Sequence, residues 1–419
     1  MTVDVAIPQL DLDPYSPEFL ADPYPCYEEL RDAGPVVWLT RYEHCLVARH
    51  AETQIVLDDW EVYGSTRGFG LNDPEKDVSL VDAPEFAPFA DMPQMCTEGM
   101  RGLFDAVRPD PPEHDAIRRI FMRMLAPGLV RGWREQIIGN ADALVASLIE
   151  RGSFDAAVEL SDHFVLNVVG DIVGLPPEGR ENIARVGDMA MNTSGPRNQV
   201  YLDSIANAVE AVSWMNDVCK RDVVAPGGIG ALIYDAVDAG EIVDETMGDA
   251  FIRVFPIAAM DTTSSTITNA IHNLATHPEQ WRLLREDPSL SRNAFQETLR
   301  FTQPIHPLYR TTNHDSELAG CAIAAGTKMM LLLGSANRDP RAFENPDSFD
   351  IRRDASNQLG FGSGIHSCAG QSLARLEGEA VLGALARRAP DLRLDGEPTR
   401  RVHNTLHTWA KLPVTVTGS

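Results

Sequence analysis

The sequence predicts a mainly α protein with a small β component. Three observations carry that expectation. From Glu113 to about residue 300, apolar residues recur at three-to-four spacing in successive segments. After Thr302 the texture changes to short apolar runs punctuated by Pro304, Pro307, Pro340 and Pro346. A last helical pattern follows Gly370 and runs from Gln371 to Ala386. No repeat, low-complexity stretch or linker-like break divides the chain, so residues 1–419 are expected to form one domain.

Taken in order, Asp13 to Pro25 reads as extended chain and turns. Cys26 to Ala33 has helical spacing and stops at the breaker Gly34-Pro35. Val36 to Leu39 and Cys45 to Ala48 are apolar runs around a polar turn and predict a hairpin. Residues 72–112, rich in proline and acid, predict a long surface loop. Helices are expected over 113–125, 130–151, 157–174, 179–192, 200–222, 229–238, 244–276 and 278–285. Leu175-Pro176-Pro177 and Ala225-Pro226-Gly227-Gly228 break the series. Pro256 should kink or loosen the segment 244–276, because proline removes a helical hydrogen bond. Met329 to Leu333 reads as a buried strand.

The 36 basic residues stand against 61 acidic ones, for a net charge of −25. That balance argues against nucleic acid and anionic lipid as partners. The six cysteines are scattered with no C-x-x-C pair, which speaks against a zinc ribbon or a disulfide framework. A reduced, cytoplasmic compartment is expected. Residues 1–20 lack the pattern of a signal peptide, and no apolar run approaches the ~18 residues of a membrane span.

The most informative stretch is Phe361-Gly362-Ser363-Gly364-Ile365-His366-Ser367-Cys368-Ala369-Gly370. Its glycines permit positive φ and let a flat ligand lie close to the backbone. A cysteine just before a helix has its thiolate favoured by free N–H groups and the helix dipole, which suits a metal–thiolate bond. A glycine-rich turn around a buried free cysteine is the plainer alternative. A dinucleotide fingerprint is the weakest alternative, since the third glycine is misplaced and no strand with an acidic partner frames it.

The same ten residues match in full the haem signature F-G-x-G-x-H-x-C-x-G, and the chain here resembles the cytochromes P450. Glu297-Thr298-Leu299-Arg300 is similar to that family's E-x-x-R, and Asn345 to Arg353 is similar to its following segment. Ala258-Ala259-Met260-Asp261-Thr262-Thr263 resembles the acid–alcohol pair of its central helix, with Ala259 where the family often has glycine. The resemblance implies the cytochrome P450 fold and haem b, with Cys368 as the axial iron ligand. Phe361 and Gly370 would flank the cofactor. His114, Arg118, Arg310 and His366 match propionate contacts. Glu297, Arg300 and Arg353 would form a structural ion cluster. Asp261 and Thr262 would be the catalytic pair, the acid passing protons in from solvent and the hydroxyl holding the distal oxygen and an ordered water.

Several stretches resemble one bacterial group that oxidises para-substituted benzoates, including 4-methoxybenzoate O-demethylases. Among them are Ala21 to Pro25, Ser65 to Leu71, Gly334 to Pro340 and Asn404-Thr405-Leu406. The resemblance implies a pocket for a flat aromatic acid, with Arg67 as the first candidate anchor and Arg253 as the second. Arg253 lies nine residues before Thr262, about 900° along an ideal helix, so the two should point apart, whereas Val254 should stand about 80° from Thr262. The group is expected to have a serine where this chain has Val254, and phenylalanines where it has Met191, Ser194 and Leu308. Ala258, Ile305 and Leu406 complete the expected substrate contacts. These departures widen the choice to larger or neutral substrates. The implied partners are O2 and an iron–sulfur ferredoxin with its NAD(P)H-dependent reductase. Arg118, Arg119, Arg123, Arg352 and Arg375 are candidates for the ferredoxin's docking patch. A peroxide-driven haem-thiolate enzyme and a non-catalytic haem sensor are the alternatives, and the Asp261–Thr262 pair weakens the first.

Overall fold

The computed structural model describes residues 6–68, 70, 71, 84–89 and 108–416. Most of the expected loop at 72–112, and Phe69 before it, lie outside the described residues.

The long helix Glu245–Thr276 organises the molecule. Asp244 caps it by accepting from the Met247 N–H at 2.9 Å. It packs against His163–Val173, Glu181–Asn192, Ser291–Phe301 and Gln371–Arg388. Neighbours on most sides explain why it shows no single apolar stripe: Phe251, Ile252, Ile267 and Leu274 are buried together with Asp261, Ser264 and Asn269. The helix runs unbroken through Pro256. Gln371–Arg388 packs on Pro127–Arg151 and on Ser291–Phe301. A β-carbon at Gly378 would lie 2.0 Å from the Phe295 ring, so only glycine lets these helices approach so closely.

The expected hairpin forms between Val37–Leu39 and His44–Val47, with Trp38 opposite Cys45. It belongs to a six-stranded sheet whose order is Gln9–Leu10, Val37–Leu39, His44–Val47, Lys328–Leu332, Pro307–Thr312, Tyr63–Gly64. Lys328–Leu332 is buried at every position, as its apolar run predicts. Three elements differ from the sequence reading. Asp13 to Pro25, expected as extended chain and turns, contains the helix Pro17–Ala21, which Ser16 caps by accepting from the Phe19 N–H at 3.2 Å. His50–Asp58 is a helix with no counterpart in that reading. The expected helix 157–174 is split, with wider i→i+5 π turns over Ala156–Asp162 before His163–Val173, and Asp155 accepts from the Ala157 N–H at 3.0 Å where those turns begin. No helix among the described residues is long and apolar enough to cross a membrane.

Candidate functional site

The Phe361–Gly370 stretch folds into a tight loop, closed where the Cys368 N–H donates to the Phe361 carbonyl at 2.8 Å. Gly362 and Gly364 take φ of 68° and 69°, in the left-handed region. A β-carbon at Gly364 would also meet the Leu57 carbonyl oxygen at 2.6 Å. Helix Gln371–Arg388 starts directly after Gly370. Burial pushes the Cys368 thiol up, while the Gly370 and Gln371 N–H groups and the Arg118 and Arg375 cations pull it down.

Cys368 lines a cavity of about 430 Å³ with Phe361 and Gly370. Val254, Ala258 and Thr262 of the long helix line it too. His114 and Arg118 from one helix, Arg310 from a strand and His366 from the cysteine loop also reach this cavity. Arg118 Nη2 donates to the Ser367 carbonyl at 2.6 Å. The His114 and His366 rings meet edge to face at 4.8 Å. Arg310 donates to the Tyr309 carbonyl at 2.8 Å, and burial lowers its pKa to about 10. A buried guanidinium calls for an anion. A thiol and a row of cationic and imidazole donors around one largely apolar cavity fit a flat, carboxylate-bearing iron porphyrin.

Asp261 and Thr262 face different spaces. Thr262 lines the cavity, its hydroxyl donating to the Ala258 carbonyl at 3.0 Å. Asp261 lines a separate surface groove with Asp162, Arg185, Asp188 and Arg401. Its Oδ1 pairs with Arg401 Nη1 at 3.3 Å, and its Oδ2 has no hydrogen-bond partner among the described residues. Burial raises its pKa to about 7 against the pull of Arg401. The neighbouring residues thus join a solvent groove to the cavity across one helix.

Met191, Ile305 and Leu308 line the cavity beside Val254 and Ala258. Four expected substrate contacts do not. Arg253 donates to Asn216 Oδ1 at 3.2 Å on the other side of its helix, as the helical angle requires. The Arg67 guanidinium stands beside Gly326, and Lys328 Nζ holds the Arg67 carbonyl at 2.9 Å, tying this loop to the sheet. The Ser194 carbonyl accepts the Leu71 N–H at 2.7 Å, so this residue anchors the segment at 71. Leu406 bridges to Ile305 from behind and borders a small neighbouring cavity with His306, His403 and His407.

Glu297 and Arg300 pair through two bonds of 2.8 Å each, with both side chains fully buried. Arg353 Nε adds a third contact to Glu297 at 3.2 Å. Arg300 also donates to the carbonyls of Asn337 and Pro346, so the cluster ties the helix Ser291–Phe301 to the chain that leads to Cys368.

The sequence reading missed two features of the cavity. Glu377 lines it, fully buried, with neither carboxyl oxygen hydrogen-bonded among the described residues, and burial raises its pKa to about 8. The signal was present: Glu377 interrupts the apolar spacing of Leu373, Ala380, Val381 and Ala384. The second feature is Asp110, which accepts from Ser65 N at 2.9 Å and lies 3.0 Å from His366 Nε2. Burial pushes its carboxyl up, but bonds from His366, Thr66 and Ser65 outweigh it and hold its pKa at about 2. Nothing local in the sequence links residues 110 and 366.

The family profile described as Cytochrome P450 matches residues 244–389. Cytochrome p450 CYP199A2 of Rhodopseudomonas palustris is 39% identical over 412 residues, covering 98% of this chain and 95% of that protein. Putative cytochrome P450 123 of Mycobacterium bovis is 30% identical, covering 99% of each. Among solved structures, cytochrome P450 CREJ in complex with (4-ethylphenyl) dihydrogen phosphate superposes with a TM-score of 0.81 at 26% identity, covering 95% of this chain and 98% of that one.

Proposed function

The chain belongs to the cytochrome P450 family and is a haem b monooxygenase, and we propose that it inserts one oxygen atom of O2 into a small aromatic substrate, by hydroxylation or O-demethylation. The observation that carries this reading is the shared cavity of Cys368, the propionate-type donors and Thr262. Bound haem supplies the chemistry of O2 reduction and oxygen insertion. Cys368 holds its iron as thiolate, with the Gly370 and Gln371 N–H groups tempering the sulfur. Arg118, Arg310, His114 and His366 take its carboxylates. Thr262 keeps a hydroxyl in the cavity, and Asp261 brings protons from the groove to it. The apolar walls around Val254, Ile305 and Leu308 seat the ring and exclude bulk water. A methoxy substrate hydroxylated at its methyl carbon gives a hemiacetal, which loses formaldehyde. Bacterial members of the family draw electrons from redox partners; for this chain we propose a ferredoxin and its NAD(P)H-dependent reductase, in the cytoplasm.

One observation favours a neutral ring over a benzoate. Among the described residues, the charged and imidazole lining groups are His114, Arg118, Arg310, His366 and Glu377, and the four donors belong to the haem edge. Val254 faces the cavity where a carboxylate-binding serine is expected, and Arg253 turns away. The test is a spectral titration of the ferric protein with 4-methoxybenzoate beside its methyl ester. The ester is expected to shift the haem from low to high spin. A shift with the acid alone would overturn the neutral reading. No shift with either would overturn the small aromatic substrate.

A further inference from the structure

Asp261 is buried at the centre of a partly buried charge cluster that extends well past the acid–alcohol pair. Arg401, near the C-terminal end of the chain, donates Nη1 to Asp261 at 3.3 Å and Nη2 to Asp188 at 2.5 Å. Asp162 borders the same groove and accepts a hydrogen bond from Ser264. His403 Nδ1 accepts the N–H groups of Thr405 and Leu406 at 3.0 and 3.1 Å. Its one ring proton is therefore on Nε2, which faces Asp188 Oδ1 at 3.5 Å. Facing Asp261 or lining its groove, the charged and titratable groups among the described residues are Asp162, Arg185, Asp188, Glu210, Arg401 and His403.

Asp188 and Asp261 thus share the Arg401 guanidinium and Asp162 adds a third carboxylate beside them, with neutral His403 behind and Arg185 and Glu210 at the groove. All three ionised would leave buried negative charge in excess, so the cluster favours keeping a proton. The free oxygen identifies its place. Asp261 Oδ2 has no partner among the described residues and stands against Gly187, where a β-carbon would lie 2.4 Å away. Resting on the monooxygenase reading above, we propose that Arg401 is a positioning residue: shared between Asp188 and Asp261, it fixes Asp261 Oδ1 at the groove, leaves Oδ2 to carry the transferable proton, and sets the pH at which that proton is held. Asp261 takes one proton from the groove and gives one towards Thr262, so it ends each delivery as it began. Its pKa of about 7 accords with a group that can do both near neutral pH.

The experiment is an infrared pH titration of carboxyl groups in the resting haem-loaded protein, with Asp261→Asn identifying the Asp261 band apart from that of Glu377. Arg401→Ala removes a cation and is expected to raise the midpoint by about one pH unit or more. Asp188→Asn removes an anion and is expected to lower it by a similar amount. Arg401→Lys should bring the midpoint back towards the wild-type value. A structural role for Arg401 would not move the midpoint in opposite directions. A band that persists in Asp261→Asn, equal midpoints, or shifts of one sign overturn the proposal. Should Arg401→Ala fail to fold, Arg401→Lys and Asp188→Asn still decide it, since an unmoved midpoint in Asp188→Asn overturns it. The thiolate band of the reduced CO complex is read on the same samples; its absence would remove the monooxygenase reading and leave the titration standing.

Discussion

The Glu377 carboxyl is buried beside the cavity with neither oxygen bonded among the described residues. Its folded pKa, about 8, lies above the unfolded value, so the folded chain binds the extra proton between those two values. Stability therefore falls as pH rises through that window, by at most about 1.4 kcal/mol per pH unit for one proton. Glu377→Gln should remove this contribution, and denaturant unfolding from pH 5 to 8 should show a shallower decline than wild type. Thr262 has a different signature. Its hydroxyl is back-bonded to Ala258 yet borders the cavity. Thr262→Ala should lower product formed per NAD(P)H with O2, by about tenfold or more if it serves as the relay, and spare peroxide-driven turnover. Equal loss of both would contradict the relay.

Helices set how these residues face one another. The long helix turns Val254 and Thr262 to the cavity, Arg253 to Asn216 and Asp261 to the groove, all by the 100° step of its own geometry. The close crossing at Gly378 holds the helix that follows Cys368 against Ser291–Phe301, which carries Glu297 and Arg300. A methyl group there would drive into the Phe295 ring. Gly378→Ala should cost about 1–3 kcal/mol by overpacking, read as a lower denaturant midpoint with an unchanged slope.

The whole molecule carries a net charge of −25, while ferredoxins of the kind proposed are usually acidic as well. Productive docking then needs a local positive face near Cys368. Arg119 is exposed there in sequence neighbourhood with Arg118, whereas Arg123 is paired with Glu241 and Arg352 with Asp350. Arg375 bonds Gln296 and covers the Phe361 ring, which takes it out of the docking set. Electron transfer from an acidic ferredoxin should fall by about tenfold or more as salt is raised, because exposed charges are screened beyond ~10 Å at 0.1 M. A rate that stays flat across ionic strength would count against a charged docking face.

Local chemistry was legible without the structure. The glycine–cysteine loop, the E-x-x-R pair and the helical angle separating Arg253 from Val254 all follow from spacing along a few turns, since neighbours in sequence share backbone geometry. The strand Lys328–Leu332 and the hairpin before it followed from apolar runs and turn residues. Contacts between distant segments did not. Arg67 and Ser194 were drawn towards the substrate by sequence, yet Lys328 and Leu71 hold them elsewhere. Asp110 reaches His366 across 256 residues, and Arg401 reaches Asp188 across 213 and Asp261 across 140. The sequence by itself determined which groups can bind haem and move protons, because those capacities belong to residue types and short spacings. Only the tertiary structure decided which of them share a cavity and which charges share one arginine, because burial and long-range pairing depend on how the helices pack.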